Sequence, residues 1–190
     1  FPDTKFVGME PAVKPASEGT VTGKVGVLAT PTTFQGTLYA SLLDRYAEGI
    51  TIYQHTCPGL VSEIEAGRLT GTEARRILTQ AIEPMLAAGV DQIVLGCTHY
   101  PFVLPLIREI AGPEVTVVDP APAVARQTAR VLKTLGPRIN GAAAGDVFIQ
   151  TTGDAARMEG FLNHVPAFSG VDVVNLKWVD GYLQSPTIHT

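Results

Sequence analysis

Short apolar runs alternate along this chain with stretches whose apolar residues recur at helical spacing, and that alternation leaves few folds open. Lys24 to Ala29 (KVGVLA), residues 50–56 (ITIYQHT), Gln92 to Gly96 and Val115 to Val118 read as strands. Between them lie helices. Strands of parallel sheets are buried on both faces and read as continuous apolar runs. Strand and helix in strict alternation predict right-handed βαβ units and an α/β class fold with parallel sheets.

The helices carry the finer expectations. One runs from about Gln35 to Ala47 and places Leu38, Leu42 and Tyr46 on one face. Cys57-Pro58 begins a short helix that carries Glu63 and Glu65 and is stopped by Gly67. Thr70 and Glu73 resemble a capping box in front of a long helix with Ala74, Ile77, Leu78, Ala81, Ile82, Met85 and Leu86 on its apolar side, kinked at Pro84 and ended by Gly89. Pro101 starts a helix that reaches Ala111. Residues 1–23, with Pro11, Pro15 and Gly19, read as a linker feeding the domain.

After Asp119 the theme repeats. A helix from Pro120 or Pro122 lines up Val124, Thr128, Val131, Leu132 and Leu135 and closes at Gly136, and a soft loop follows at Gly141 to Gly145. A strand from Val147 to Gln150 leads through Thr151-Thr152-Gly153-Asp154 to a helix with Met158, Phe161 and Leu162, and Val171 to Leu176 is the last strand. Two strands and two helices bury too little surface to stand alone, so this end is expected to pack on another unit. The chain opens on Phe1-Pro2-Asp3, without an initiator Met, and reads as part of a longer polypeptide.

Composition excludes several functions. An apolar share of 45% supports a core, and the formal net charge of −4 without a basic cluster argues against nucleic acid and anionic membranes. No apolar stretch approaches the roughly 20 residues of a membrane helix, and the start lacks the pattern of a signal peptide. Two cysteines without CxxC spacing fit free thiols in a reducing cytoplasm. A small molecule or another protein is the partner left.

The chemistry concentrates at Leu95-Gly96-Cys97-Thr98-His99-Tyr100-Pro101, where a strand delivers a thiol and an imidazole into a turn. Ligands of open α/β sheets bind outside the carboxyl ends of strands. Cys97 is there either as a reactive thiol or as a small buried hydrophobe, and His99 could stabilise its thiolate or shuttle a proton. Cys57 also follows a strand, but Pro58, Gly59 and Leu60 bring neither acid nor base, which favours packing. Glu63 and Glu65 point to different faces of their helix, so one could orient His99 while the other is solvated. Thr30, Thr32 and Thr33 follow a strand, where hydroxyls and backbone N–H groups could hold a carboxylate. His55, His164 and His189 have no ligand spacing and no phosphate loop occurs, so neither a metal nor a nucleotide is indicated.

The run from Leu95 to Pro101 resembles the second cysteine signature of glutamate racemases, within the cofactor-independent aspartate/glutamate racemase group. Further matches stand in the family's order: Met9 to Ala16, Gly26 to Pro31, Cys57 to Val61 continuing through Ile64-Glu65-Ala66-Gly67, and Thr151 to Asp154. The resemblance implies two pseudo-similar lobes, each giving one cysteine, with the pair facing the α-carbon of glutamate from opposite sides. It implies no cofactor. On that likeness Cys97 is the acid/base of the second lobe, acting on L-glutamate; His99 assists its protonation cycle; Glu65 supports His99; and Thr98, Thr30 and Thr33 contact substrate.

Two departures stand out. Thr32-Thr33 replaces the family's common Gly-Thr, and the aspartate–serine and cysteine–asparagine–threonine segments of the first lobe do not precede Phe1. The expected organisation is therefore residues 1–23 as linker and remnant of the first lobe, 24–118 as the second catalytic lobe, and 119–190 as a return to the incomplete first lobe. The chain alone is then expected to be inactive, and the whole enzyme to supply D-glutamate for peptidoglycan, with a homodimer as the candidate assembly. Alternatives are a racemase or decarboxylase of the same fold acting on aspartate or a hydantoin, a non-catalytic remnant with a retained pocket, and, more distantly, an acyl-transfer cysteine hydrolase.

Overall fold

The computed structural model describes residues 4–135 and 147–185. Helix α1 (Val13–Gly19) precedes strand β1 (Lys24–Ala29), which leads into α2 (Pro31–Gln35), α3 (Thr37–Tyr46) and β2 (Thr51–His55). Helices α4 (Leu60–Glu65) and α5 (Thr72–Ala87) connect to β3 (Gln92–Gly96). A short 3-10 turn at Tyr100–Val103 opens into α6 (Leu104–Ala111), followed by β4 (Thr116–Val118) and α7 (Ala121–Thr134). Then come β5 (Ile149–Thr151), α8 (Ala155–Leu162), β6 (Val173–Asn175) and a hairpin of β7 (Lys177–Val179) and β8 (Tyr182–Gln184).

The first four strands form one parallel sheet in the order β2-β1-β3-β4, with helices on both faces. Successive side chains of a strand point to opposite faces, and here both faces are dry. Val25, Val27 and Ala29 of β1 and Val94 of β3 pack with Val13, Ala16 and Tyr39. Leu28, Ile93 and Leu95 point the other way, into a larger core built by α4, α5 and α6. Gly26 falls on that second face because a Cβ there would come within 2.6 Å of the Met85 sulfur. The parallel α/β class expected from the alternating runs is the observed one.

Several expectations need correcting. The stretch read as linker contains α1, whose Val13 and Ala16 are 0% exposed. Pro15 misled the reading, but a proline in the first turn removes an N–H that has no intrahelical acceptor anyway. The single helix expected from Gln35 to Ala47 is two helices, broken at Gly36, where the backbone is extended (φ −73°, ψ 136°). The buried face is accordingly Tyr39 and Leu42, while Leu38 is 55% exposed. Gly71, not Thr70, sits at the N-cap of α5, and Glu73 accepts from Arg76 Nε at 2.8 Å instead of capping. Pro101 starts the 3-10 turn rather than the α-helix.

Gly67 does end α4, at φ +73°, a conformation open to glycine at little cost. The His164 ring also occupies the space that a Cβ would need there.

At the carboxyl-terminal end, β5 and β6 pair in parallel as a separate sheet, and the hairpin was not foreseen. Helix α8 joins this unit to the main body through Phe161, which packs against the larger core with its ring edge-on to Phe102 at 4.9 Å. Helix α7 buries none of its residues. Its closing residue Gly136 and the loop Gly141 to Gly145 lie outside the described residues. No helix among the described residues is long and apolar enough to cross a membrane.

Cys57 is part of the larger core, and burial pushes its thiol up to about 11, with the Tyr100 hydroxyl opposing and Cys97 reinforcing the shift. The folded chain holds this proton while the unfolded chain, with an ordinary value of 9.0, releases it. The resulting stabilisation is complete below about pH 9 and is lost as the pH rises towards 11.

Two expected outcomes follow from the packing. Leu78→Ala lowers the unfolding free energy by about 2–5 kcal/mol, whereas Leu38→Ala changes it by no more than about 0.5 kcal/mol, both read from urea transitions. Between pH 8.5 and 10.5 (on the order of two units across the window), the urea midpoint of the parent falls more steeply than that of Cys57→Ala; parallel slopes would remove the buried thiol as a source of alkaline instability.

Candidate active site

The strand order creates the site. From β1 the chain winds outward to β2 on one side, and from β3 it winds outward to β4 on the other. Between β1 and β3 the connections diverge, leaving a crevice at the carboxyl ends of the two strands, the place where open α/β sheets bind ligands. Ala29 and Gly96 are paired in register there. Thr30 follows one and Cys97 the other. A Cβ on Gly96 would approach the Ala29 Cβ to 2.8 Å, so glycine at that position lets the two strand ends run this close.

Thr30 and Thr33 share a hydrogen bond between their hydroxyls at 3.1 Å, and the Thr33 hydroxyl donates to the Gly96 carbonyl at 3.4 Å. The residues expected to hold a carboxylate therefore border the Cys97 turn. Thr98 is exposed. Thr32 is exposed as well, outside this pair.

Cys97 is 7% exposed, and its sulfur lies 3.9 Å from Nδ1 of His99. On the other side of the ring, Nε2 lies 3.2 Å from Oε1 of Glu65. A carboxylate can only accept, so the ring donates through Nε2, and in the neutral form of the imidazole this leaves Nδ1 as an acceptor facing the thiol. A proton can pass between sulfur and imidazole along this line, with Glu65 holding the ring in place. Of the two glutamates weighed for that task, Glu65 meets His99. Glu63 is taken by Arg68, which grips both its oxygens at 2.8 and 2.7 Å and holds its carboxyl below the usual range.

Two groups of the site were not anticipated. Arg157 of α8 donates through Nη2 to Oε2 of Glu65 at 2.8 Å, across 92 residues of sequence. Its only signal was position, three residues past Asp154 in the motif that ends β5. Tyr100 is 1% exposed, and burial raises its hydroxyl well above the ordinary tyrosine range, with Cys57 and Cys97 adding to the effect.

Two concavities flank the array. A cleft of about 300 Å³ is lined by Glu65, His99, Gly153, Asp154, Arg157 and Phe161, among others. A smaller one of about 210 Å³, lined by residues including Thr30, Thr56, Cys57, Ser62 and Tyr100, opens at the ends of β1 and β2. Among the described residues, no three His, Cys, Asp or Glu side chains gather so as to hold a metal ion.

Comparison with known proteins fits this geometry. The model of the Asp/Glu/Hydantoin racemase family matches residues 6–128. A glutamate racemase of Pseudomonas syringae pv. tomato is 49% identical over 148 residues, covering 78% of this chain and 54% of the relative. One from a Roseiflexus species is 43% identical over 166 residues, 87% of this chain and 61% of the relative. The chain thus spans little more than half the length of these curated relatives. Among solved structures, Escherichia coli glutamate racemase in complex with L-glutamate and the activator UDP-MurNAc-Ala superposes with a TM-score of 0.73 at 27% identity, over 89% of this chain and 65% of that one. With a family model matched across most of its sheet and its cysteine turn at the sheet's switch point, this chain belongs to the Asp/Glu/hydantoin racemase family.

Proposed function

We propose that the protein interconverts L- and D-glutamate by cofactor-independent two-base proton transfer, with Cys97 as one of the two acid/base groups. The observation that carries this reading is the alignment of Cys97, His99 and Glu65 at the switch point of the parallel sheet. In one direction the Cys97 thiolate takes the α-proton of L-glutamate, leaving a carbanion delocalised into the α-carboxylate. A thiol on the opposite face then delivers a proton to the same carbon. In the reverse direction the two groups exchange roles.

The chemical demand is severe. A thiolate whose conjugate acid has a pKa near 8.5 must deprotonate a far weaker carbon acid. Hydroxyl and backbone donors preorganised around the α-carboxylate, in a site from which water is excluded, lower the cost of the developing charge. Thr30, Thr33 and Thr98 are the donors we assign to that task. His99 loads and unloads the Cys97 proton between turnovers, and Glu65 keeps the ring turned towards the sulfur.

Cys57 does not suit the opposing role. It belongs to the core beneath the same strand ends, and its raised pKa keeps it a thiol at neutral pH. We therefore place the opposing thiol in the part of the relatives' length that these 190 residues do not span. On this reading residues 24–118 are the second catalytic lobe and 119–190 the return to the first. D-glutamate for peptidoglycan in the cytoplasm is the corresponding product. A homodimer is an assembly that sedimentation would test.

The alternative within the family is an aspartate or hydantoin substrate, since the matching family model spans all three. A panel of amino acids and hydantoins separates these readings by kcat/KM.

In the protein joined to a complete first lobe, Cys97→Ser is expected to lower kcat for glutamate by about 100- to 10,000-fold, and Cys57→Ala to leave it within a few-fold. Circular dichroism of L-glutamate solutions, with α-deuterium incorporation in heavy water, measures both. The reverse pattern would transfer the catalytic role to Cys57. Family-like racemisation by the 190 residues alone would end the two-lobe assignment.

A further inference from the structure

Arg157 lies beyond the residues matched by the family model, yet it completes the array at the site. Glu65 divides its carboxylate between two partners, with Oε1 on His99 Nε2 at 3.2 Å and Oε2 on Arg157 Nη2 at 2.8 Å. Arg157 and Glu65 side chains are 58% and 37% exposed. An ion pair so open to solvent contributes little to stability. Docking of α8 must rest on something else.

It rests on an apolar anchor. Phe161 packs against the larger core, edge-on to Phe102, and its ring centroid lies 6.4 Å from that of His99. Asp154 caps the same helix, accepting from the Arg157 backbone N–H at 3.1 Å. The backbone at Arg157 is thereby held from two directions before its guanidinium reaches Glu65. What the ion pair adds is orientation: a carboxylate held at one oxygen can swing about its side-chain bonds, whereas one held at both cannot.

We propose that Arg157 is a positioning residue for proton transfer at Cys97, fixing Glu65 so that His99 keeps Nδ1 aimed at the thiol. This rests on the racemase reading above. Arg157 acts only through Glu65 and does not touch the reacting atoms. Lysine at the same position retains a charged donor for Oε2 but not the planar fork, and should restore part of the effect.

The test uses the protein with a complete first lobe and the variants Arg157→Ala, Arg157→Lys, Glu65→Gln and the double Glu65→Gln/Arg157→Ala. We expect Arg157→Ala to lower kcat about 10- to 100-fold with KM for L-glutamate nearly unchanged, and Arg157→Lys to recover part of the loss. In the Glu65→Gln background, adding Arg157→Ala should change kcat by no more than about twofold, because the route of its action is already cut. The His99 ring-nitrogen resonances, followed by NMR, should move in the same sense in Arg157→Ala and in Glu65→Gln.

An unchanged kcat in Arg157→Ala, losses that multiply in the double variant, or a raised KM at constant kcat would each overturn the proposal, the last by placing the guanidinium on substrate. If Arg157→Ala does not fold, Arg157→Lys and the resonances of Glu65→Gln carry the comparison, and either a kcat of Arg157→Lys equal to the parent's or an unshifted His99 in Glu65→Gln would overturn it. Absence of racemisation in the parent protein would instead sink the functional reading, and the His99 resonances would still report whether Arg157 aligns the ring.

Discussion

The site depends on one constraint: β1 and β3 lie side by side at the middle of a parallel sheet, in register at Ala29 and Gly96. A parallel pair needs a long crossover to return the chain to the same edge, so the two strands end together while the chain leaves them in opposite directions. Cys97, Thr30 and Thr33 are neighbours for that reason alone. The apolar layers on both faces of the sheet hold the strand ends rigid, which is what a proton transfer over a few ångströms requires. Catalytic groups on rigid elements keep their geometry better than groups on loops.

Around this frame the polar groups are arranged by division of labour among charges. Glu63 and Glu65 differ by two positions on one short helix, and that displacement sends one to Arg68 and the other to His99. The two cysteines divide similarly. Both are buried in the same core, but among the described residues only Cys97 has an imidazole within reach of its sulfur, while Cys57 meets the Tyr100 hydroxyl. Environment, not residue type, separates the two thiols.

Much of this was legible in the chain itself. Residue periodicity located the strands of the main sheet within a residue or two, because strands buried on both faces must be apolar throughout. The cysteine–threonine–histidine turn was visible as a thiol and an imidazole at a strand end. Local errors arose where one residue had two physical readings: Pro15 as breaker or first-turn residue, Gly36 as a helix interior or a break, Thr70 as cap or flank. In each, packing chose. Val13 and Ala16 turned an apparent linker into a helix because the second face of the sheet would otherwise lie bare.

The sequence by itself determined the class of fold, the position of the thiol and the imidazole in one turn, and the family. These follow from local properties: periodicity, residue chemistry and a motif of adjacent residues. Only the tertiary structure decided which strands are neighbours, which glutamate reaches His99, and that Arg157 closes the array from 92 positions away. Those are long-range pairings, set by how separate elements share one core, and no local pattern encodes the distance between two side chains that meet only when the chain has folded.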